Sequence, residues 1–383
     1  MLVIRSEKSV LSNWWMEVDR WMILILLSLI ALGFMMGFAA STPVAAKLGL
    51  NPLHFVTRQG FFVILSLVMM FGISLLEVQN ARRLAVISLP FILMAVGLTH
   101  LIGPEIKGAT RWIPLGFFSL QPSEFLKPSL IVFTAWMLSE KYHNPLFPGR
   151  KIALAVFALS VALLITQPDF GQTILITTVF IGQLVLAGMS LYWLGGVIGL
   201  GAIGAFLAYL NLPHVQQRID TFLDPTKGDT FQVDKALEAI QSGGLMGRGP
   251  GEGEVKFSLP DAHSDFIFAV TGEEFGFIGL LSLMIIFSMI VLRGLAKLVE
   301  EENPFIIYAV SGLLALFGVQ ALINMGVNLA VIPNKGMTLP FVSYGGSSLM
   351  AMAYSMGLVL AFTKKNRFLQ KGQFVGFGQR GLG

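Results

Sequence analysis

The chain has 383 residues, of which 55% are hydrophobic and only 13% are charged, and its formal net charge is +4. This composition excludes a soluble globular protein of this length, because such a domain could not bury so much apolar surface. The basic residues lie mainly in short connections and at the C-terminus, which argues against nucleic-acid binding and favours anionic lipid as the counterpart. The absence of cysteine excludes disulfides, thiolate metal sites and cysteine nucleophiles.

Apolar segments of about 20 residues recur along the chain, and each is long enough to span a membrane as a helix. They predict an all-α polytopic membrane protein of about ten transmembrane helices. The first apolar run is too long for a signal peptide and is interpreted as a retained span. The predicted spans lie near residues 21–41, 59–77, 84–103, 123–140, 151–167, 170–189, 192–210, 266–293, 304–330 and 344–363.

An even number of spans places both termini on the same side of the membrane. With the N-terminus inside, the inner segments carry 15 Lys and Arg residues and the short outer loops carry five. Cytoplasmic loops carry the excess of positive charge. We therefore expect a cytoplasmic N-terminus (1–20), a membrane domain (21–363) and a cytoplasmic C-terminal tail (364–383).

One connection, residues 211–264 between the seventh and eighth spans, is far longer than the others and is extracytoplasmic in this topology. Loops of this length are usually functional or disordered. Val233, Leu237 and Ile240 follow helical spacing, which predicts a surface helix within an ordered loop. The glycine-rich run 243–253 surrounds Arg248. It is either a phosphate cradle of backbone amides or a flexible turn.

Charged residues within predicted spans are candidate functional groups, because an unpaired charge in the bilayer is costly. Glu124 and Lys127 are three residues apart and share a helix face, downstream of Arg111. One interpretation is a self-neutralising pair that merely tolerates burial. We favour a functional site, because a charged pair between two prolines is a costly way to hold helices together.

Asp265 stands where the long loop enters the eighth span, and we expect it in the first helical turn, where the helix dipole favours its ionised form. The alternative role is that of an N-cap. Glu273 and Glu274 lie about two turns deeper and need cations or water nearby. The candidate cations are Lys127, Arg111 and Arg248.

The last connection follows a polar stripe of Gln320, Asn324 and Asn328 at positions i, i+4 and i+8. Such a stripe serves either hydrogen bonding between helices or contact with a substrate. The connection itself carries Lys335, Ser343 and Tyr344 between prolines and glycines. These polar groups are expected at the outer membrane interface.

Seven sequence blocks stand in order along nearly the whole chain. They are Gly108-x-x-Arg111-Trp112-Ile113, Gln121-Pro-Ser-Glu124-x-x-Lys127, Gln167-Pro-Asp169-x-Gly171, Gly243-Gly-Leu-x-Gly247-x-Gly249, Leu259-Pro-x-Ala-His-Ser-Asp265-Phe-Ile-Phe, Gly272-Glu-Glu-x-Gly276 and Leu339-Pro-x-x-Ser-Tyr-Gly-Gly-Ser-Ser348. Together they closely resemble the SEDS family of bacterial cell-wall proteins, which includes FtsW, RodA and SpoVE. Within the family, Lys335-Gly-Met-Thr-Leu-Pro340 is most like the division branch, FtsW.

The resemblance implies a glycosyltransferase that polymerises lipid II, an undecaprenyl-pyrophosphate-linked disaccharide peptide, into glycan strands during septal cell-wall synthesis. It implies a place in the bacterial cytoplasmic membrane, at the division septum. The implied partners are a class B penicillin-binding protein with transpeptidase activity and other division proteins. Two alternatives stay open: a lipid II flippase, and a non-catalytic division scaffold.

The resemblance also implies roles for particular residues. Asp265 is expected to be the catalytic general base toward the acceptor sugar hydroxyl. No cofactor is certain, and a divalent cation, magnesium or manganese, held by carboxylates is an open alternative. The residues expected to bind the substrate are Arg111, Glu124, Lys127, Asp169, Arg248, Glu273, Lys335 and Ser343.

Overall fold

The computed structural model describes residues 9–364 except 48, 52, 106–108, 117, 143, 212, 225, 227 and 334–335. Lys335 therefore lies outside the described residues. The α-helices of the described part are α1 (Val10–Glu17), α2 (Arg20–Lys47), α3 (His54–Leu75), α4 (Val78–Ile102), α5 (Pro122–Ser139), α6 (Gly149–Thr166), α7 (Phe170–Leu186), α8 (Leu191–Asn211), α9 (Pro213–Leu223), α10 (Phe231–Gly243), α11 (Ile267–Ala296), α12 (Pro304–Asn328) and α13 (Gly346–Phe362). Strands β1 (Ile113–Pro114) and β2 (Ser119–Leu120) form a short antiparallel hairpin between α4 and α5.

The helices α2 to α8 and α11 to α13 coincide with the ten predicted spans, so the predicted all-α polytopic class is confirmed. Among the described residues, α2, α3, α4, α6, α11 and α12 are long and apolar enough to cross a membrane. The apolar helices α7 and α13 have 17 residues each. The side of the membrane on which the termini lie stays a prediction.

The centre of the bundle is built from α5, α12 and α13. Almost every residue of α5 is buried, and every residue of α13 from Ser347 to Phe362 is buried. The surrounding helices expose large apolar side chains, as Ile64 on α3 and Phe91 on α4 do. An apolar exterior around a helical bundle is what a bilayer solvent requires.

The helix α11 is broken at Gly276, whose φ of 64° and ψ of −164° are available only to glycine. The glycine-rich run that follows α10 packs against this break. The amides of Arg248 and Gly249 donate to the carbonyls of Glu273 and Glu274, at 3.0 Å each. The amide of Phe277 donates to the carbonyl of Gly244 at 2.9 Å. The loop thus pairs backbone groups that the break leaves unpaired within the helix.

These contacts decide between the two interpretations of the glycine-rich run. A β-carbon on Gly243 would lie 1.9 Å from the carbonyl oxygen of Gly272, and one on Gly247 would lie 2.1 Å from that of Glu274. The glycines are therefore required for close backbone packing on α11. Because the amides of Arg248 and Gly249 already have partners, they are not free to cradle a phosphate.

Candidate active site

The connections at one end of the bundle converge on a polar cavity of about 450 Å³. Its volume is in the range of small-molecule binding sites. It collects side chains from the connections α4–α5, α6–α7, α8–α11 and α12–α13. The lining consists of Ala109, Arg111, Trp112, Gln121, Glu124, Asp169, Gln172, Arg218, Gln232, Asp261, Ser264, Asp265, Gly336, Thr338, Tyr344, Gly345, Ser347 and Ser348.

Asp265 is half-buried in the wall of this cavity. It lies just before α11, which begins at Ile267 with Phe266 as N-cap, so the expected position in the first turn and the N-cap role are both wrong. The physical reason is a turn. Asp261 adopts a φ of 52°, and its carbonyl accepts the amides of Ser264 and Asp265 at 3.0 and 3.1 Å.

The polar stripe of α12 holds Asp265 in place. The side-chain amides of Asn324 and Asn328 donate to the carbonyl of Asp265 at 2.9 and 3.0 Å. Asn324 also donates to the carbonyl of Met337, at 2.6 Å, in the connection to α13. Gly336 of the same connection faces the carboxylate, since a β-carbon there would lie 3.4 Å from Asp265 Oδ2. The stripe therefore serves hydrogen bonding that positions the cavity wall.

Glu124 and Lys127 form a buried ion pair of 2.7 Å on α5. Lys127 also donates to Gln320 Oε1 at 2.9 Å, and Gln172 Nε2 donates to Glu124 Oε1 at 2.6 Å. Glu124 lines the cavity, whereas Lys127 is fully buried behind it. The pair thus joins α5, α7 and α12 at the cavity floor, and contact of either residue with a substrate stays a prediction.

Arg111 and Asp169 meet across 58 residues of sequence. The guanidinium Nη1 lies 3.7 Å from Asp169 Oδ1. Nε donates to the carbonyl of Gln167 at 3.1 Å, and Nη2 donates to the carbonyl of Pro168. The carbonyls of the α6–α7 turn therefore accept hydrogen bonds from two of the five N–H donors of Arg111.

The cavity also contains residues that the sequence motifs did not single out, chiefly Arg218 on α9. Arg218 is exposed, and its guanidinium makes no hydrogen bond or ion pair with the described residues. Gln172, Gln232 and Asp261 are further polar additions. The only sequence signal for Arg218 was a cation in an amphipathic part of the long loop.

Two predicted site residues lie away from the cavity lining. The carboxylate of Glu273 accepts the amides of Val255 and Lys256 at 2.7 and 2.9 Å. Arg248 pairs with Glu254 at 3.1 Å on the exposed side of the loop. The contribution of both to substrate binding stays a prediction.

The carboxylates of Glu273 and Glu274 were expected to pair with Lys127, Arg111 or Arg248, and this prediction was wrong. The partner of Glu274 is Lys256, whose ammonium pairs with Glu274 Oε1 and donates to the carbonyl of Gly251 at 3.0 Å. Both side chains of the pair are only 1% exposed. Lys256 lies in the polar loop, where nothing in the sequence indicated that it is buried.

Ser343 is buried behind the cavity and joins two of its connections. Its hydroxyl accepts the amide of Leu339 at 2.7 Å and donates to the carbonyl of Ser264 at 2.5 Å. Tyr344 follows it into the cavity wall, and its amide donates to the carbonyl of His263 at 2.8 Å. Ser343 thus positions the loop, and its contact with a substrate stays a prediction.

Among the residues that the structure describes, no three His, Cys, Asp or Glu side chains cluster as a metal ion would require. The cavity carboxylates also have other surroundings, since Glu124 is paired with Lys127 and Asp169 faces Arg111. No reaction step is therefore assigned to a divalent cation, which stays an untested alternative.

His263 packs between the rings of Phe55 and Tyr344, with ring centroids 5.1 Å from each. Burial lowers its pKa below 6.5, although Asp261 partly raises it. As the pH falls below this value, the unfolded chain binds a proton that the folded chain does not, so the free energy of unfolding falls.

We therefore expect the melting temperature to fall between about pH 7 and about pH 5, the range in which an unperturbed histidine titrates. The His263→Gln variant should lose that part of the decline. Equal declines in the two proteins would show that His263 is not the group responsible.

The family model described as cell cycle protein, which covers FtsW, RodA and SpoVE, matches residues 19–368. A relative from Caulobacter vibrioides is 43% identical over 99% of this chain and 96% of its own length. The chain belongs to the FtsW/RodA/SpoVE family. The resemblance carried by the sequence blocks is thereby confirmed.

The relative from Caulobacter vibrioides is named a probable peptidoglycan glycosyltransferase FtsW, as is one from Geobacter metallireducens that is 35% identical over 90% of this chain and 95% of its own. Solved structures of the FtsW/RodA/SpoVE type share the fold. RodA of Thermus thermophilus superposes with a TM-score of 0.68 at 27% identity, covering 91% of this chain and 97% of that one.

A second solved chain comes from a peptidoglycan synthase complex that coordinates polymerisation and crosslinking. It superposes with a TM-score of 0.74 at 26% identity, covering 90% of this chain and 97% of that one. This family member is therefore similar to a component of a synthase complex over nearly its full length.

Proposed function

We infer that this chain is a peptidoglycan glycosyltransferase of the bacterial cytoplasmic membrane that polymerises lipid II into glycan strands. One observation carries the inference: a half-buried carboxylate, Asp265, lies in a cavity that also holds two guanidinium groups, Arg111 and Arg218. Glycosyl transfer from a lipid pyrophosphate needs both a base and positive charge.

The reaction joins an acceptor sugar hydroxyl to the anomeric carbon of a donor sugar. The hydroxyl oxygen forms the new bond to that carbon while the bond from the carbon to the pyrophosphate oxygen breaks, and its electron pair leaves with the pyrophosphate. Asp265 takes the proton of the hydroxyl, which makes the oxygen a better nucleophile. Cations of the cavity balance the negative charge of the departing pyrophosphate.

The fixed position of Asp265 supports the role of base. Its carbonyl is held by Asn324 and Asn328, and Gly336 of the opposite connection lies close to the carboxylate. A catalytic group held by packing and hydrogen bonds needs little reorganisation to reach the reacting atom. The role of Lys335, next to Gly336, is proposed on the resemblance alone.

The proposed setting is septal wall synthesis in cell division, with both termini cytoplasmic and the cavity on the outer side. Similarity to a chain of a peptidoglycan synthase complex supports a crosslinking partner, and a class B penicillin-binding protein fits that description. Other division proteins complete the proposed assembly.

The test is polymerisation of fluorescent lipid II by the purified full chain, with and without its cognate penicillin-binding protein. We expect glycan polymer that a muramidase digests. Transbilayer movement of labelled lipid II in liposomes, without polymer in either condition, would replace the assignment with a flippase. The absence of both polymerisation and transbilayer movement would favour a non-catalytic scaffold.

A further inference from the structure

A buried part of the cavity wall contains two hydrogen-bond acceptors that have no donor. Asp169 is 4% exposed and Gln172 is 5% exposed, and both line the cavity. Within the described part of the chain, Asp169 Oδ2 and Gln172 Oε1 have no hydrogen-bond partner. A buried acceptor without a donor is destabilising, so native proteins retain such groups mostly where a ligand or another function requires them.

The orientation of Gln172 is determined by its other end. Its Nε2 donates to Glu124 Oε1 at 2.6 Å, and Glu124 Oε2 is in turn engaged by Lys127. Because Lys127 is itself held by Gln320 at 2.9 Å, this chain of bonds is fixed on the side away from the cavity. Gln172 Oε1 is therefore kept as an acceptor.

Asp169 is fixed in the same way. Its Oδ1 accepts the amide of Gln172 at 3.4 Å as the N-cap of α7 and faces Arg111 Nη1 at 3.7 Å. The two free oxygens thus belong to one short segment, the first turn of α7 and its cap.

Two acceptor oxygens select the chemistry of their ligand. They attract hydroxyl and amide N–H groups, and they repel phosphate oxygens, which are acceptors only. Arg111 offsets this preference only in part, because two of its N–H donors are used by the carbonyls of Gln167 and Pro168 and its charge faces Asp169. Arg218, which has no such bonds within the described residues, is the better placed cation for phosphate.

We propose that Asp169 and Gln172 form a saccharide subsite, in which their free oxygens accept hydrogen bonds from the hydroxyl or acetamido N–H groups of the lipid-linked sugar. The assignment rests on the proposed function and divides its cavity: the sugar binds against α7, and the pyrophosphate binds outside this segment.

The test compares two ligands that share the lipid pyrophosphate but differ in whether they carry the saccharide with its peptide. Binding of lipid II and of undecaprenyl pyrophosphate, which lacks the saccharide and peptide, is measured to the full chain in complex with its partner. The Asp265→Asn background prevents turnover. We expect Asp169→Asn and Gln172→Met each to raise the Kd for lipid II about tenfold, as loss of one or two hydrogen bonds does. The Kd for undecaprenyl pyrophosphate should stay unchanged.

Gln183→Met is the matched control. Gln183 is also a buried glutamine of α7, but its amide donates to the carbonyls of Ile131 and Tyr308 at 3.0 and 3.1 Å, away from the cavity lining. A merely structural role of Gln172 predicts the same effect from both variants. Asn at position 169 preserves the N-cap, so that variant remains informative if Gln172→Met unfolds.

Three results would overturn the subsite. An equal rise in the Kd for lipid II and for undecaprenyl pyrophosphate would assign the segment to the pyrophosphate. A rise in the Kd for lipid II that is equally large in Gln183→Met would assign it to packing. An effect of Asp169→Asn that disappears when EDTA removes divalent ions would assign it to a cation. Failure of the proposed function is distinguishable, because the wild-type complex would then make no polymer whatever the binding data show.

Discussion

Replacement of Asp265 by asparagine should abolish polymerisation of lipid II while leaving the chain folded. A general base contributes roughly 10²-fold to 10⁴-fold to a rate, and an amide cannot accept the proton of the acceptor hydroxyl. The fold should survive because Asn324 and Asn328 hold residue 265 through its backbone carbonyl, which the substitution leaves unchanged. The measurement is the initial rate of glycan formation by the purified complex.

Asp234→Asn is the control for this substitution. Asp234 lies on α10 in the same long connection, accepts a hydrogen bond from Thr230 at 2.6 Å and is not part of the cavity lining. The Asp234→Asn variant should polymerise lipid II at the wild-type rate. Residual activity of Asp265→Asn within a few fold of that control would remove Asp265 from the role of base.

The membrane architecture could be predicted from the sequence because the bilayer imposes a simple length and polarity rule on each span. The same rule exposed Glu124 and Lys127, since charges in an apolar run are conspicuous. The break of α11 could not be predicted. Glycine is frequent in membrane helices, so Gly276 carries no signal of its own.

The site was predictable only in part, because it is formed by contacts between segments that are distant in the sequence. Arg111 and Asp169 were each noticed, but their contact depends on how α4 and α7 pack. Arg218 and Lys256 were missed because a cation in a polar loop is unexceptional. Lys256 acquires its importance only when the loop folds over α11 and removes its ammonium from water.

Breaking the buried pair of Lys256 and Glu274 should be the most destabilising change outside the cavity. Removing one partner leaves the other charge buried and unpaired, which typically lowers the free energy of unfolding by about 3–5 kcal/mol. Lys256→Met and Glu274→Gln should therefore each lower the melting temperature of the purified chain strongly. The double variant should recover much of the loss, since it leaves no unpaired charge.

The loop supplies its own control for this argument. Lys235 and Glu238 form an ion pair of 2.5 Å on α10, with 28% and 53% of their side chains exposed. Exposed pairs contribute about 0–1 kcal/mol, so Lys235→Met should barely change the melting temperature. The Lys256 variants should also become sensitive to protease between α10 and α11, because the pair holds that segment on the broken helix. Equal stability of the Lys235 and Lys256 variants would mean that the backbone bonds at Gly276 hold the loop without the ion pair.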